Sequence, residues 1–318
     1  MKRILSVLLC LCLTALLCAG CGSAPADSGR LKIVATIFPE YEWVKNIVGD
    51  AKDVEVSLLL DKGVDLHSFQ PTTQDIVRIA DCDVFVYIGG ESDRWADDVL
   101  KDAKNRDMLA LNLMEELGAA AKEEEAVEGM EPEKEAQEDE ADEIEYDEHI
   151  WLSLKNAALL TQRIADRLGE KDEANKAVYQ KNAASYIAGL NELDGRYAQT
   201  VKEAKQDTLI FADRFPFRYL TDDYGLHYYA AFKGCSAESE ASFQTLVFLA
   251  DKLDSLGLHH LMIIDGSDRK IADAVIETAE TKDVEVLTLD SMQSSVGDDD
   301  TYLGIMERNL TVLRDALN

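Results

Sequence analysis

The segment that decides the fold is residues 31–48, LKIVATIFPEYEWVKNIV. Its first part, 31–37, is an almost unbroken apolar run, which is typical of a strand buried on both faces of a sheet. From residue 38 a proline in the first turn and a new apolar spacing predict a helix over 38–48. A buried strand that leads directly into a helix is half of a βαβ unit, so this segment predicts a parallel sheet.

The same alternation recurs in both halves of the chain and predicts two α/β lobes with mostly parallel sheets. In the first half, strands are predicted over 54–60, 83–88 and 108–113, with a short helix over 73–80. In the second half, strands are predicted over 208–212, 228–232, 261–265 and 284–289, with helices over 241–256, 270–281 and 302–317.

A long helix is predicted to connect the two lobes. Apolar residues recur at intervals of three and four over 174–204, which corresponds to a helix of roughly 45 Å at about 1.5 Å per residue. The N-terminal lobe then covers 31–173 and the C-terminal lobe 205–318. Ligands of open α/β sheets bind at the carboxyl ends of the strands, so a site is expected in the cleft between the lobes.

The chain is strongly acidic, with 62 Asp and Glu against 32 Lys and Arg and a formal net charge of -30. This balance argues against a nucleic-acid partner, because phosphate binding needs clustered basic residues. Residues 122–148 alone hold 15 acids and two lysines. Such a stretch cannot bury a core, so we expect a disordered loop there. It either raises the local concentration of cations or is a solvated spacer.

The N-terminus resembles a bacterial lipoprotein signal. A basic start precedes an apolar run over 4–18 that is shorter than the about 20 residues of a membrane-spanning helix. Ala19 and Gly20 directly before Cys21 resemble a lipobox. We therefore expect a signal peptide over 1–20, lipidation at Cys21, a tether over 21–30 and a location on the outer face of the cytoplasmic membrane. The alternative is an ordinary cleaved signal with an incidental cysteine.

Two of the five histidines lie in distinctive surroundings. His67 follows a strand in GVDLHSFQP, residues 63–71, and His149 ends the acidic stretch in DEHIWL, residues 147–152. Taken alone, each is more often a surface or capping histidine than a metal ligand. The sequence contains no His-Glu-x-x-His, Gly-x-Ser-x-Gly or P-loop pattern, which argues against a metallohydrolase.

These two motifs resemble those of the metal-binding solute receptors of bacterial zinc and manganese ABC importers. Further similar segments follow in the same order at 33–48, 79–89, 217–226 and 235–242. The resemblance covers about residues 31–318 apart from the acidic insertion. It implies two α/β lobes joined by a rigid helix, one Zn²⁺ or Mn²⁺ ion carried between them, a permease as partner, a monomer and no enzymatic activity. A surface adhesin with a structural metal is the alternative.

The resemblance also implies two metal ligands from each lobe. By position, His67 and His149 come from the N-terminal lobe, and Asp290 with a residue near Asp213 from the C-terminal lobe. The usual third ligand falls on Arg214, whose guanidinium has no lone pair to offer a cation. Asp213, one residue earlier and directly after the strand 208–212, is the predicted replacement. The alternative site has only the other three residues, completed by water or another acid.

Other polar residues are expected around the ion. Asp265, at the end of a strand, is expected to support the ligands or cap a turn more often than to bind the ion. Arg214 is expected to turn away and pair with a cleft acid such as Glu240. Cys235 lies near the cleft by position, but the family has an apolar residue there, so a thiolate ligand is not expected. Imidazoles with carboxylates suit both Zn²⁺ and Mn²⁺, and that choice stays open.

Overall fold

A computed structural model of the protein describes residues 29–60, 65–131, 145–236, 240–293, 297 and 299–318. The predicted signal peptide, the lipidation site Cys21 and most of the tether lie outside these residues. Within them, no helix is both long and apolar enough to cross a bilayer.

The N-terminal lobe is built on a parallel sheet with the strand order β2-β1-β3-β4. The strands are β1 Leu31–Ala35, β2 Val54–Leu58, β3 Val84–Tyr87 and β4 Leu109–Asn112. The helices are α1 Phe38–Val48, α2 Thr73–Ala80, α3 Arg94–Lys101, α4 Leu113–Leu117 and α5 Leu154–Lys171. Successive strands are added on opposite sides of β1, so the carboxyl ends of β1 and β3 border a crevice, the usual place of a ligand in this type of sheet.

The C-terminal lobe repeats this topology, with the parallel order β6-β5-β7-β8. Its strands are β5 Thr208–Phe215, β6 His227–Lys233, β7 His260–Ile264 and β8 Glu285–Leu289. Its helices are α7 Arg218–Tyr224, α8 Phe243–Leu256, α9 Lys270–Thr278 and α10 Tyr302–Ala316. The predicted connecting helix is α6, Lys176–Glu203, whose 28 residues span roughly 42 Å.

The predicted α/β fold with two parallel sheets is confirmed. One boundary differs in a way that affects the site, because β5 continues beyond residue 212 to Phe215. Asp213 and Arg214 therefore lie inside the strand, at a bulge in its pairing with β6, and not in the turn after it. The charged pair interrupts the apolar run, but the buried Phe215 continues the strand.

The two lobes share one apolar core in addition to the connecting helix. The ring of Trp43 on α1 packs edge-on against Tyr302 on α10, with centroids 5.5 Å apart. Trp151 donates from Nε1 to the carbonyl of Ser291 at 2.9 Å, and the Tyr302 hydroxyl donates to the carbonyl of Trp151 at 2.6 Å. Each buried aromatic side chain stabilises the fold by about 1.5–3 kcal/mol, so this interface holds the lobes firmly.

The ends of the acidic stretch 122–148 are ordered against the C-terminal lobe, whereas residues 132–144 lie outside the described part of the chain. The contacts are Lys122 N to Tyr219 Oη at 2.9 Å, Glu131 N to Ala231 O at 2.9 Å, and Thr245 Oγ1 to Gly129 O at 3.1 Å. The expectation of a disordered loop therefore does not fit residues 122–131, because backbone hydrogen bonds hold them although their composition is acidic.

Candidate metal centre

His67 is held by a short 3₁₀ turn, Leu66–Ser68, that follows β2. Asp65 caps this turn, because its Oδ1 accepts a hydrogen bond from the backbone N–H of His67 at 3.0 Å. The imidazole Nδ1 lies 2.7 Å from the hydroxyl of Ser92 in the loop before α3. The turn and the serine together fix the ring so that Nε2 faces the interior of the cleft.

His149 lies directly before a second 3₁₀ turn, Ile150–Leu152, and is completely buried. Asp147 Oδ1 accepts from both the backbone N–H and the ring Nδ1 of His149, at 2.8 and 2.9 Å. An ionised carboxylate only accepts hydrogen bonds, so Nδ1 carries the proton and Nε2 keeps its lone pair. A carboxylate behind a histidine in this way is the arrangement that orients metal-binding imidazoles.

The two imidazoles face each other, with their Nε2 atoms 3.1 Å apart. Burial, followed by the neighbouring His149, lowers the pKa of His67 well below its usual value, so its ring is neutral at neutral pH. Two nitrogens bound tetrahedrally to one Zn²⁺ at about 2.0–2.1 Å would lie about 3.3 Å apart. The pair is therefore spaced as two ligands of a single ion would be.

Gln293 reaches the same point from the C-terminal lobe. Its amide nitrogen lies 2.8 Å from Nε2 of His67 and 2.7 Å from Nε2 of His149. An amide NH₂ has two hydrogens, one for each imidazole lone pair. Met292 adopts a left-handed conformation, with φ of 58°, and this turns the chain after β8 so that Gln293 faces the imidazoles.

Cys235 is the third metal-binding side chain at this point. One ligand atom each from His67, His149 and Cys235 lie within 4.8 Å of one another. The preceding residue, Gly234, permits this approach, because a Cβ there would lie 2.9 Å from Cε1 of His149. Burial, with the charges of Glu124 and other nearby acids, raises the pKa of the Cys235 thiol well above its usual value.

Glu148 contributes negative charge beside the imidazoles. Its Oε1 accepts from the backbone N–H of Ser92 at 2.9 Å, and its Oε2 lies 3.9 Å from Nδ1 of His67. The Oε2 atom is buried and has no hydrogen-bond partner among the described residues. Burial is the main cause that raises the pKa of this carboxyl. A cation bound at the imidazole pair would compensate such a group.

The two predicted carboxylate ligands lie outside this cluster and hold backbone groups. Asp213 accepts from the backbone N–H of Arg214 at 2.8 Å and of Ile264 at 3.0 Å. Asp290 accepts from the backbone N–H of Met292 at 2.8 Å. Burial, followed by the charge of Asp265, raises the pKa of Asp290 to about 6. Both residues stay predicted ligands, and Asp213, whose two oxygens both accept backbone hydrogen bonds, would exchange one of them for the ion.

The supporting residues are placed as follows. Asp265 accepts from the backbone N–H and the hydroxyl of Ser291, so it anchors the loop that carries Gln293. Arg214 pairs with Asp65, at 2.7 Å, where Glu240 was expected. Asp65 is placed for this contact because its turn at the end of β2 faces the end of β5. Sequence reasoning missed Ser92 and Gln293, since neither lies in a metal-binding motif.

A cleft of about 500 Å³ leads to the imidazole pair between the lobes. His67, Asp213, Arg214 and Glu240 lie on its wall, together with Lys270 from the start of α9. The site therefore combines two buried imidazoles, a thiol and acidic neighbours at the end of an open path. This arrangement fits the binding of one cation.

Residues 33–316 match the family model described as zinc-uptake complex component A, periplasmic. The chain is 30% identical to the zinc-binding lipoprotein AdcA of Streptococcus pneumoniae (strain ATCC BAA-255 / R6) over 99% of its own length, but it spans only 61% of that protein. It is also 30% identical to the high-affinity zinc uptake system protein ZnuA of Bacillus subtilis (strain 168), over 93% of this chain and 90% of that one.

Solved structures show the same fold. The Zn(II)-bound ZnuA-like domain of Streptococcus pneumoniae AdcA superimposes with a TM-score of 0.70 at 26% identity, covering 91% of this chain and 99% of that one. A mutant of the laminin-binding adhesin Lmb from Streptococcus agalactiae gives a TM-score of 0.73 at 25% identity, covering 91% and 100%.

Proposed function

The chain belongs to the zinc-uptake complex component A family, and on that premise we propose that it captures Zn²⁺ outside the cytoplasm and delivers it to the permease of an ABC importer. Members of this family are substrate-binding receptors and not enzymes. The observation that carries the proposal is the pair of buried imidazoles with Nε2 atoms 3.1 Å apart, each with its other nitrogen hydrogen-bonded.

The chemistry of capture follows from these groups. The neutral imidazole of His67 offers its lone pair without the cost of removing a proton. The carboxylates of Asp147 and Glu148 lie in contact with the two rings and favour a cation there. An arriving ion takes the two lone pairs to which Gln293 otherwise donates. Asp290 and one further ligand from the C-terminal lobe are predicted to complete the coordination.

Zinc is the preferred substrate because imidazole nitrogen is a borderline ligand that suits Zn²⁺ well, whereas Mn²⁺ prefers carboxylate and water oxygens. The relatives named for zinc support the same choice. The lipid anchor at Cys21, the attachment to the outer face of the membrane and a monomeric state rest on the sequence and are part of this proposal. Adhesion rests only on the names of structural relatives that bind laminin, whereas the buried imidazole pair supports metal capture.

The test is an equilibrium titration of the full chain with Zn²⁺ and with Mn²⁺ in competition with a chromophoric chelator. We expect one tightly bound Zn²⁺, and a loss of at least about 100-fold in affinity for His67→Ala and for His149→Ala. His227→Ala changes an exposed histidine at the start of β6 and is the matched control, expected to bind as the wild type does. Equal affinity in His67→Ala and the wild type would contradict the proposal.

A further inference from the structure

We propose that Cys235 is a protein ligand of the captured ion, as a thiolate, and takes the place that the sequence assigns to Asp213. The inference rests on the proposed function and specifies its site. It narrows the range of ions that the site prefers, because a site with two imidazoles and a thiolate selects borderline and soft cations such as Zn²⁺ over Mn²⁺.

The distances favour the sulfur. In a tetrahedral zinc site with Zn–N of about 2.1 Å and Zn–S of about 2.3 Å, nitrogen and sulfur lie about 3.5 Å apart. The Cys235 sulfur lies within 4.8 Å of the ligand nitrogens of both His67 and His149. A shift of little more than about 1 Å therefore brings all three atoms to one ion. Among the described residues, this is the group of three that meets such a spacing.

The local structure delivers Cys235 to this position from the carboxyl end of β6. Gly234 lets the turn close on the His149 ring, since a side chain there would also meet the carbonyl of Phe215 at 2.9 Å. The backbone N–H of Cys235 donates to Glu124 at 3.2 Å, which ties the turn to the ordered acidic segment. The close backbone approach at Gly234 and the hydrogen bond of the Cys235 N–H together restrict the position of Cys235, as expected of a ligand held in place.

Asp213 is less suited to the role. Both of its oxygens accept backbone hydrogen bonds, one of them from Ile264 at the end of β7, inside the sheet. The neighbouring Arg214 is held toward Asp65 by its ion pair. Bringing the Asp213 carboxylate to the imidazoles would break these contacts, whereas the Cys235 sulfur needs to move by little more than about 1 Å.

The binding step is balanced as an exchange of a proton for the metal. The Cys235 S–H bond breaks, its electron pair forms the sulfur–metal bond, and the proton passes to the solvent. One proton is released for each ion bound, and no oxidant or reductant takes part. His67 and His149 bind through existing lone pairs and release none.

The test uses Co²⁺ as a spectroscopic substitute for Zn²⁺ on the full chain, kept reduced. Cobalt bound to a thiolate shows a sulfur-to-metal charge-transfer band in the near ultraviolet, which imidazole and carboxylate ligands do not produce. We expect this band at one equivalent in the wild type and its loss in Cys235→Ser, with Zn²⁺ affinity reduced at least about tenfold. Zn²⁺-over-Mn²⁺ selectivity should fall by a similar factor.

Cys82→Ser is the matched control, because Cys82 is the other cysteine of the described residues and lies in the core beneath β3. The cysteines before residue 29 are present in all proteins compared, so any band they produce survives in both variants. A band as intense in Cys235→Ser as in the wild type and in Cys82→Ser, or tight Co²⁺ binding with no thiolate band in the wild type, overturns the inference.

The two proposals fail in different ways. If the wild type binds neither Zn²⁺ nor Co²⁺ tightly, the proposed function fails. If it binds both tightly but Asp213→Asn loses affinity while Cys235→Ser does not, the receptor function stands and Asp213 is the ligand. Asn keeps an oxygen that can accept from the backbone N–H of Ile264. This variant therefore tests whether the negative charge of Asp213 is needed for binding, without removing its hydrogen bond to β7.

Discussion

Asp65 joins the guanidinium of Arg214 in the C-terminal lobe to the backbone of His67 in the N-terminal lobe. One of its oxygens lies 2.7 Å from Nη2 of Arg214 and the other accepts from the His67 N–H at 3.0 Å. Both side chains of the ion pair are about three-quarters shielded from solvent, at 21% and 27% exposure. The pair therefore neutralises a positive charge that would otherwise lie unpaired beside a cation site.

The first prediction tests this neutralisation. Asp65→Asn keeps the oxygen that caps the turn but removes the charge, so Arg214 is left to repel the incoming ion. We expect Zn²⁺ affinity to fall about 5- to 10-fold, and to return to within about twofold of the wild type in Asp65→Asn/Arg214→Gln. A double variant as weak as the single one would show that the effect comes from the turn and not from the charge. Isothermal titration measures both.

The second prediction concerns Gln293, which competes with the ion for two lone pairs. Since its amide donates to both Nε2 atoms, Gln293→Ala removes a competitor. We expect Zn²⁺ affinity to rise about 3- to 10-fold, measured by chelator competition. Gln162→Ala, whose amide binds Asp166 and Gln180 between α5 and α6, is the control and should have no effect. A fall in affinity would instead identify the Gln293 side-chain oxygen as a ligand.

The third prediction concerns pH and Glu40 on α1. Burial raises the pKa of Glu40 from 4.5 to about 8. The folded protein therefore keeps a proton that the unfolded chain releases above pH 4.5, and stability falls as pH rises from about 5 to 8. One such proton changes the free energy of unfolding by up to about 1.4 kcal/mol per pH unit.

Glu40→Gln should flatten this dependence, because its amide oxygen can still accept from the backbone N–H groups of Thr36 and Ile37. Urea denaturation of the metal-free protein at several pH values measures how the free energy of unfolding depends on pH. Glu192→Gln, on an exposed part of α6, should keep the slope of the wild type. An equal slope in Glu40→Gln and the wild type would show that Glu40 ionises normally in the folded state.

The fourth prediction separates two parts of the acidic stretch. Replacing residues 132–144 by a short Gly-Ser linker should leave the Tm of the metal-free protein within about 2 °C, because the contacts of 122–131 remain. Removal of 122–131 as well should lower it by at least about 5 °C, since several hydrogen bonds of about 1 kcal/mol each are lost, among them those of Lys122, Glu124, Gly129 and Glu131 with the C-terminal lobe. Calorimetry measures the Tm of both variants. A similar fall in Tm in the two variants would contradict the prediction that only residues 122–131 stabilise the fold.

Much of the fold could be predicted because buried parallel strands are apolar runs and the helices between them have a distinct spacing. Helix α2, for example, is framed by a capping box of Thr72 and Asp75 and was predicted over its full length. The short helices α3, α4 and α7 were missed, since fewer than nine residues leave little periodicity and none of the three has a capping box like that of α2. The end of β5 was misplaced because a charged pair interrupts its apolar run.

The site was predictable only where a motif surrounds the residue. His67 and His149 were singled out from their local patterns, and the structure brings them together from 82 positions apart. Cys235 and Gln293 join them through the ends of two other strands, and no local pattern carries that information. The partner of Arg214 could not be predicted for the same reason, because Asp65 belongs to the other lobe and comes close to Arg214 only in the folded protein.

The shared core between the lobes determines when the protein can complete its folding. Tyr302 is fully buried against Trp43, so the hydrophobic interior of the first lobe is closed by a residue that follows Trp43 at a long distance in the chain. Contacts so distant along the chain form slowly, and until they form the apolar surface of α1 remains exposed to other chains. A nascent chain that stops before α10 would therefore depend on chaperones, although all of its first sheet had been made.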